Sequence, residues 1–233
     1  MGKFSSDAIY FPREGKENLM DCLTASFAAV NRHGLDKLVI FTAKGDGLEA
    51  ALFMKAARSE LHHVKLVGVT FPQGKVFAER EGEQPPTQFS PELIRKLRES
   101  ETPLVRARLP FDPIWSTYPT NTILAQDMTI IGNALNAFGG GMSLCFQAVL
   151  MACDSGEVDW GEHIVVMTAD TALLVKAAPT DHFLTDLIVR EILCKPVFLT
   201  ISRKEDPGSL MADADEEPDS PDGDLNLLGA PEE

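Results

Sequence analysis

Apolar residues recur at helical spacing over residues 18–32, where Leu19, Leu23, Phe27 and Val30 share one face and Gly34 supplies a stop. The period then changes. Leu38-Val39-Ile40-Phe41 is a short unbroken apolar run, the mark of a strand buried on both faces. A glycine-bearing turn and a second helical stretch over 47–60 follow it, and Lys65-Leu66-Val67-Gly68-Val69-Thr70 closes a β–α–β unit that predicts a parallel pair. Residues 71–91 carry Pro72, Pro85, Pro86 and Pro91 and read as a long loop, suited to a lid or binding arm. Helix 91–99 and a strand over 104–108 come next. Helices over 122–138 and 142–153 flank Gly139-Gly140-Gly141, and the second is apolar nearly all round, as a central helix would be. Strands over 164–168, 171–177 and 197–202 complete the pattern. Asp170-Thr171 makes a bend between the first two, and Pro196 places the last at a sheet edge. Strands and helices alternating in this order predict an α/β fold: a single three-layer domain with a mostly parallel sheet and helices on both faces.

Charge divides the chain at residue 204. Of the acids behind the net charge of −14, eleven lie in residues 205–233, which hold no Lys or Arg. That segment has little to bury and is expected to be a disordered acidic tail behind a domain spanning 1–204, with Leu225-Asn226-Leu227-Leu228 as a small apolar patch that could dock on a partner. No basic stripe is present, so nucleic acid is not an expected partner. No apolar run is long enough to span a bilayer, so no membrane partner is expected and the cytoplasm is the default location. Cys22, Cys145, Cys153 and Cys194 each sit in an apolar run without CxxC spacing, which reads as buried thiols in a reducing compartment. His33, His62, His63 and His163 fall at element ends, where solvated imidazoles are expected.

The candidate chemistry gathers at two strand tips. Thr42-Ala43-Lys44-Gly45-Asp46-Gly47 joins a strand to a helix start, where free backbone N–H groups, a hydroxyl and a cation favour an anion, a phosphate foremost. Asp46 as N-cap with Glu49 as its reciprocal partner would make the same stretch an ordinary capping box. Thr70, Gly74 and Lys75 echo the first tip and would flank the same crevice. Phe71, Trp115 and Tyr118 are either rim packing or a face for a flat ring. Asp154, Asp170, Asp181, His182 and Asp186 would offer a metal site or acid–base groups if they converged, but their spacing is irregular and no metal site is assigned. No nucleophile–base pair is recognisable, so catalytic residues stay unassigned.

The strand–Thr–Xaa–Xaa–Gly–helix unit, with a second strand ending in Val69-Thr70, resembles the C-terminal domain of pyruvate kinase, where the corresponding loop holds phosphates of an allosteric sugar bisphosphate. Met151-Ala152-Cys153-Asp154-Ser155-Gly156, Ala169-Asp170-Thr171-Ala172 and Glu191-Ile192-Leu193-Cys194-Lys195-Pro196 resemble a family of stand-alone pyruvate kinase C-terminal-like proteins. The likeness covers residues 8–204, loosely over 76–120, and departs from the family at Thr168, where glycine is usual, and in the acidic tail. It implies a phosphate-bearing ligand, with flavin mononucleotide (FMN) the leading candidate, and no pyruvate kinase activity, since the catalytic barrel is missing. Thr42, Ala43, Lys44, Gly45, Asp46 and Gly47 would hold the phosphate, with Thr70, Gly74 and Lys75 beside it. Two other functions stay open: a flavin-dependent oxidoreductase, with the ring doing the redox chemistry, and a regulatory or interaction module sensing a phosphorylated metabolite. The oligomeric state is likewise open, a homo-oligomer included.

Overall fold

The computed structural model describes residues 6–75, 78–79, 82–83, 87–111 and 123–198. In chain order its elements are β1 (Ile9–Arg13), α1 (Leu19–His33), β2 (Lys37–Phe41), α2 (Asp46–Ala57), β3 (Lys65–Thr70), the short hairpin β4 (Ala78–Glu79) and β5 (Gly82–Glu83), α3 (Pro91–Glu99), β6 (Leu104–Arg106), α4 (Ile123–Asn136), α5 (Gly140–Asp154), β7 (His163–Met167), β8 (Ala172–Lys176), α6 (Phe183–Asp186) and β9 (Ile188–Phe198). Seven of the described strands form one sheet in the order β1-β9-β8-β7-β2-β3-β6. Only β8 runs against the rest, antiparallel to both β7 and β9. The pairs β1–β9, β2–β7, β2–β3 and β3–β6 are parallel.

Alternation along the central strands sorts their side chains into two cores. Leu38, Ile40, Val165, Met167, Ala172 and Leu174 pack with buried residues of α1, α2 and α3. Val39, Phe41, Ile164, Val166, Leu173 and Val175 face the other way and pack with α5. Helices therefore cover both faces, the three-layer α/β arrangement expected from runs that are apolar on both sides. Local signals set several boundaries. Ser90 caps α3 by accepting the Leu93 N–H at 3.1 Å, with Pro91 in the first turn. Gly34, at φ 62, ends α1 in a left-handed turn, and the Leu35 N–H reaches back to the Val30 carbonyl at 2.9 Å.

Two expectations need correction at the sheet's margin. The last strand begins at Ile188 rather than 197, and it lies between β1 and β8 rather than at an edge. Pro196 is tolerated there because it falls beyond Ala172↔Cys194, the last pair with β8, where the strand is joined to β1 alone. The edge position belongs to β1, which the hydrophobic pattern did not single out. The helix expected to reach residue 60 ends at Ala57, and the strand expected to reach 108 ends at Arg106. The expected acidic tail, 205–233, lies outside the described residues.

Chain order reverses between β2 and β7. From β2 the chain moves outward through α2 and α3 to β3 and β6, then returns through α4 and α5 to β7 on the other flank of β2. Open α/β sheets bind ligands at the carboxyl ends of strands beside such a reversal. Both strand tips named above lie at that edge.

Candidate functional site

Thr42 and Thr70 stand side by side. The β2–β3 ladder, in register at Phe41↔Val69, continues one residue further through the Thr42 N–H, which donates to the Val69 carbonyl at 3.0 Å. On the other flank Thr70 is in register with Arg106 of β6. Thr42, Thr70 and Arg106 thus form a row across three strands, two residues beyond Ile40 and Gly68 and so on the same face as them. That face carries α2: a Cβ at Gly68 would overlap Leu48, and one at Gly47 would lie 3.0 Å from Ile40 Cγ2 and 3.7 Å from Thr42 Cβ. The helix therefore starts directly over the row.

The turn that launches α2 is built by Thr42 and Gly45. The Thr42 hydroxyl accepts the Gly45 N–H at 3.1 Å. Gly45 itself has φ 101, where a side chain is strained, and a Cβ there would overlap Leu93. The capping box expected here does not form. Gly45 is the N-cap, no side chain caps the helix, and Asp46 is already its first residue. Asp46 pairs instead with Lys16, and Glu49 with Lys96 at 3.2 Å. The N–H groups of Asp46, Gly47 and Leu48 have no acceptor within the helix. Ala43 is half-buried, while Lys44 is exposed.

Beside these donors Thr70 is 1% exposed, and its Oγ1 has no hydrogen-bond partner among the described residues. Phe89 stands across this spot: its ring carbons would lie 3.5 Å from a Cβ on Gly45, and the Arg106 guanidinium is 4.8 Å above its centroid. Phe89 thus lies against both the Gly45 turn and Arg106, the residue in register with Thr70.

Gly74 and Lys75, the other residues expected at the second tip, lie in the loop that follows β3. Gly74 (φ 78) turns the chain so that the Lys75 N–H meets the Pro72 carbonyl at 3.2 Å, and Thr87 ties to the Lys75 carbonyl through its N–H at 2.9 Å. Lys75 lines a cleft of about 390 Å³ with Phe71, Pro72, Arg108 and Leu109. Phe71 and Leu109 also pack in the α5-side core. Phe71 packs edge-on against Phe41 at 5.0 Å. Trp115 and Tyr118 lie outside the described residues.

Across the reversal from β2, the β7–β8 turn is closed by its own side chains. Asp170, buried, accepts the Thr171 hydroxyl at 3.1 Å, the Thr168 hydroxyl at 3.4 Å and the Gly15 N–H at 3.0 Å. Burial lifts its carboxyl above the ordinary aspartate value against the pull of those donors. Cys22 from one helical layer and Cys145 from the other direct their thiols at the Thr168 and Thr171 carbonyls, both at 3.6 Å. Burial pushes the Cys145 thiol up, and the neighbouring Cys194 thiol together with burial does the same to Cys22. Cys22, Cys145 and Cys194 are free and buried as expected, and Cys153 is half-buried.

The five polar residues of the C-terminal half do not gather into one cluster, although His182 lies 3.9 Å from Asp186. Asp154 accepts the Thr180 N–H at 2.9 Å, Asp186 accepts the Trp160 indole N–H at 3.1 Å, and His182 stacks on Trp160 at 4.1 Å, whereas Asp170 serves the β7–β8 turn. Among the described residues no group of three or more His, Cys, Asp or Glu could hold a metal ion, and no helix is long and apolar enough to cross a membrane. His62 and His163 are exposed as expected, but His33 is not a solvated end: it meets Glu191 at 3.0 Å. Sequence reasoning also passed over Arg106. Its only sequence signal is a basic residue at the tip of a three-residue strand, and its register with Thr70 comes from the fold. No known protein-family model matches the chain.

Proposed function

We propose that this protein binds a phosphate-bearing ligand, with FMN the leading candidate, at the carboxyl edge of β2 and β3. The observation that carries the reading is the Thr70 hydroxyl, buried and without a partner among the described residues, beside a helix start whose N-cap is the glycine Gly45. A buried hydroxyl left unsatisfied costs about 1–3 kcal/mol, and a phosphate oxygen is the acceptor that would satisfy it together with the first amides of α2. The neighbourhood suits the phosphate end of the ligand: hydroxyl, amide donors and cations occur there, and the acids at the start of α2, Asp46 and Glu49, are paired with Lys16 and Lys96. Support for a flavin in particular comes from the likeness to stand-alone pyruvate kinase C-terminal-like proteins.

The test is a pair of titrations, FMN and riboflavin, followed by flavin fluorescence, preceded by a visible spectrum of the freshly purified protein. The reading expects FMN to bind at least about tenfold more tightly, since one charge-assisted phosphate contact is worth about 1.5–3 kcal/mol. Equal affinity for the two would refute it.

A further inference from the structure

We infer that Arg106 supplies the cation that neutralises the phosphate in this site, and that Lys44, the residue the sequence favours, does not; the inference rests on the phosphate reading above. Arg106 is the next residue to Thr70 in the row across the sheet, and neighbouring strands lie about 4.8 Å apart. It is therefore the cation nearest in register to the unpartnered hydroxyl, on the same face as the uncapped start of α2. Its guanidinium is held over Phe89, 4.8 Å from the ring centroid. That contact uses its charge but none of its five N–H donors, which match the geometry of a phosphate. Half-buried, it acts in a medium of lower dielectric than water. Lys44 is exposed on a flexible stem, where a charge contributes little. Lys75 and Arg108 line the cleft beside Phe71 and Leu109.

The same geometry gives Phe89 a role. Its ring lies against both the Gly45 turn and the Arg106 guanidinium, so an anion bound at the start of α2 would compete with the ring for Arg106. Arg106 would then exchange an aromatic face for an anion.

Full-length wild type, Arg106→Gln, Arg106→Lys and Lys44→Ala are titrated with FMN, with riboflavin and with inorganic phosphate as competitor, after circular dichroism confirms that each variant is folded. The inference expects Arg106→Gln to lose at least about tenfold in FMN affinity while riboflavin binding stays unchanged. Arg106→Lys should retain part of the loss, and Lys44→Ala should stay within about threefold of wild type. If wild type prefers FMN and Arg106→Gln keeps that preference, Arg106 is excluded and the phosphate reading stands. Equal weakening of FMN and riboflavin by Arg106→Gln assigns the residue a structural role and also overturns the inference. If wild type shows no preference for FMN and inorganic phosphate does not compete, the phosphate reading falls and the inference with it.

Discussion

Glu191, on β9, and Thr70, on β3, are both buried polar side chains, 8% and 1% exposed, yet they differ in how they are satisfied. Glu191 is surrounded by partners that the chain itself provides: the Ser6 hydroxyl, Arg32 at 2.5 Å and His33 at 3.0 Å, the last two from the end of α1. Burial works against its ionisation, but the hydrogen bonds from Ser6 and His33 and the charge of Arg32 outweigh that, so its carboxyl sits below the ordinary glutamate value. Among the described residues the Thr70 hydroxyl has no partner, and it lies beside the start of α2, whose N-cap, Gly45, has no side chain. Buried polar groups in folded proteins are nearly always paired. The completed cluster reads as structure, joining α1 to the sheet. The incomplete one is where the proposed ligand would bind.

The comparison can be broken most forcefully at the turn beneath Thr70. Gly45→Ala should cost about 3 kcal/mol in urea denaturation, because it combines a left-handed backbone with overlap on Leu93. A loss below about 1 kcal/mol would mean that the turn is not fixed as described and that the row of donors is not preorganised. Glu191→Ala comes next, at about 2 kcal/mol. It falls short of the full cost of breaking a buried ion pair because Arg32, half exposed, can rehydrate. No measurable loss would remove the contrast between the two regions.

Smaller effects sharpen the picture through pH. Glu191, with its folded value depressed below 4.5, contributes stability that is present above that value and lost as pH falls through the folded one. Asp170, with its folded value raised above 3.8, behaves oppositely: its contribution is present below 3.8 and lost as pH rises through the folded value. Between about pH 3 and pH 6, Asp170→Asn should therefore gain stability relative to wild type as pH rises, while Glu191→Gln loses it. Urea midpoints across that range would show two slopes of opposite sign; slopes of the same sign would contradict the assignment.

Much of the frame was legible in the chain. Val39-Ile40-Phe41 and Val165-Val166-Met167 are apolar on both faces because helices cover both, and Ser90-Pro91 announces the start of α3. The echo between the Thr42 and Thr70 tips also proved spatial, since parallel pairing sets them side by side. What escaped the pattern depended on distant partners. Arg190 and Glu191 interrupt the apolar run of β9, and Glu191 is buried only because α1 delivers Arg32 and His33 to it. β1 shows mostly exposed residues and a proline, so nothing in Ile9-Tyr10-Phe11-Pro12-Arg13 marks a strand until β9 pairs with it. Within the site, Asp46 looked like a cap, but the turn is already closed by the Thr42 hydroxyl, leaving Asp46 to Lys16. Lys75 resembled Lys44 in sequence, and the fold sets it in a cleft with Phe71, Pro72, Arg108 and Leu109.

The most direct measurement is Thr70→Val, examined twice on the same preparation: urea denaturation of the free protein and titration with FMN. If the hydroxyl is kept for a ligand, removing it should stabilise the free protein by about 1 kcal/mol, since an unsatisfied buried group disappears while the shape is kept, and should weaken FMN binding. A variant that is less stable and binds FMN as wild type does would show that the hydroxyl serves the fold, and the account of this edge as a ligand site would be wrong.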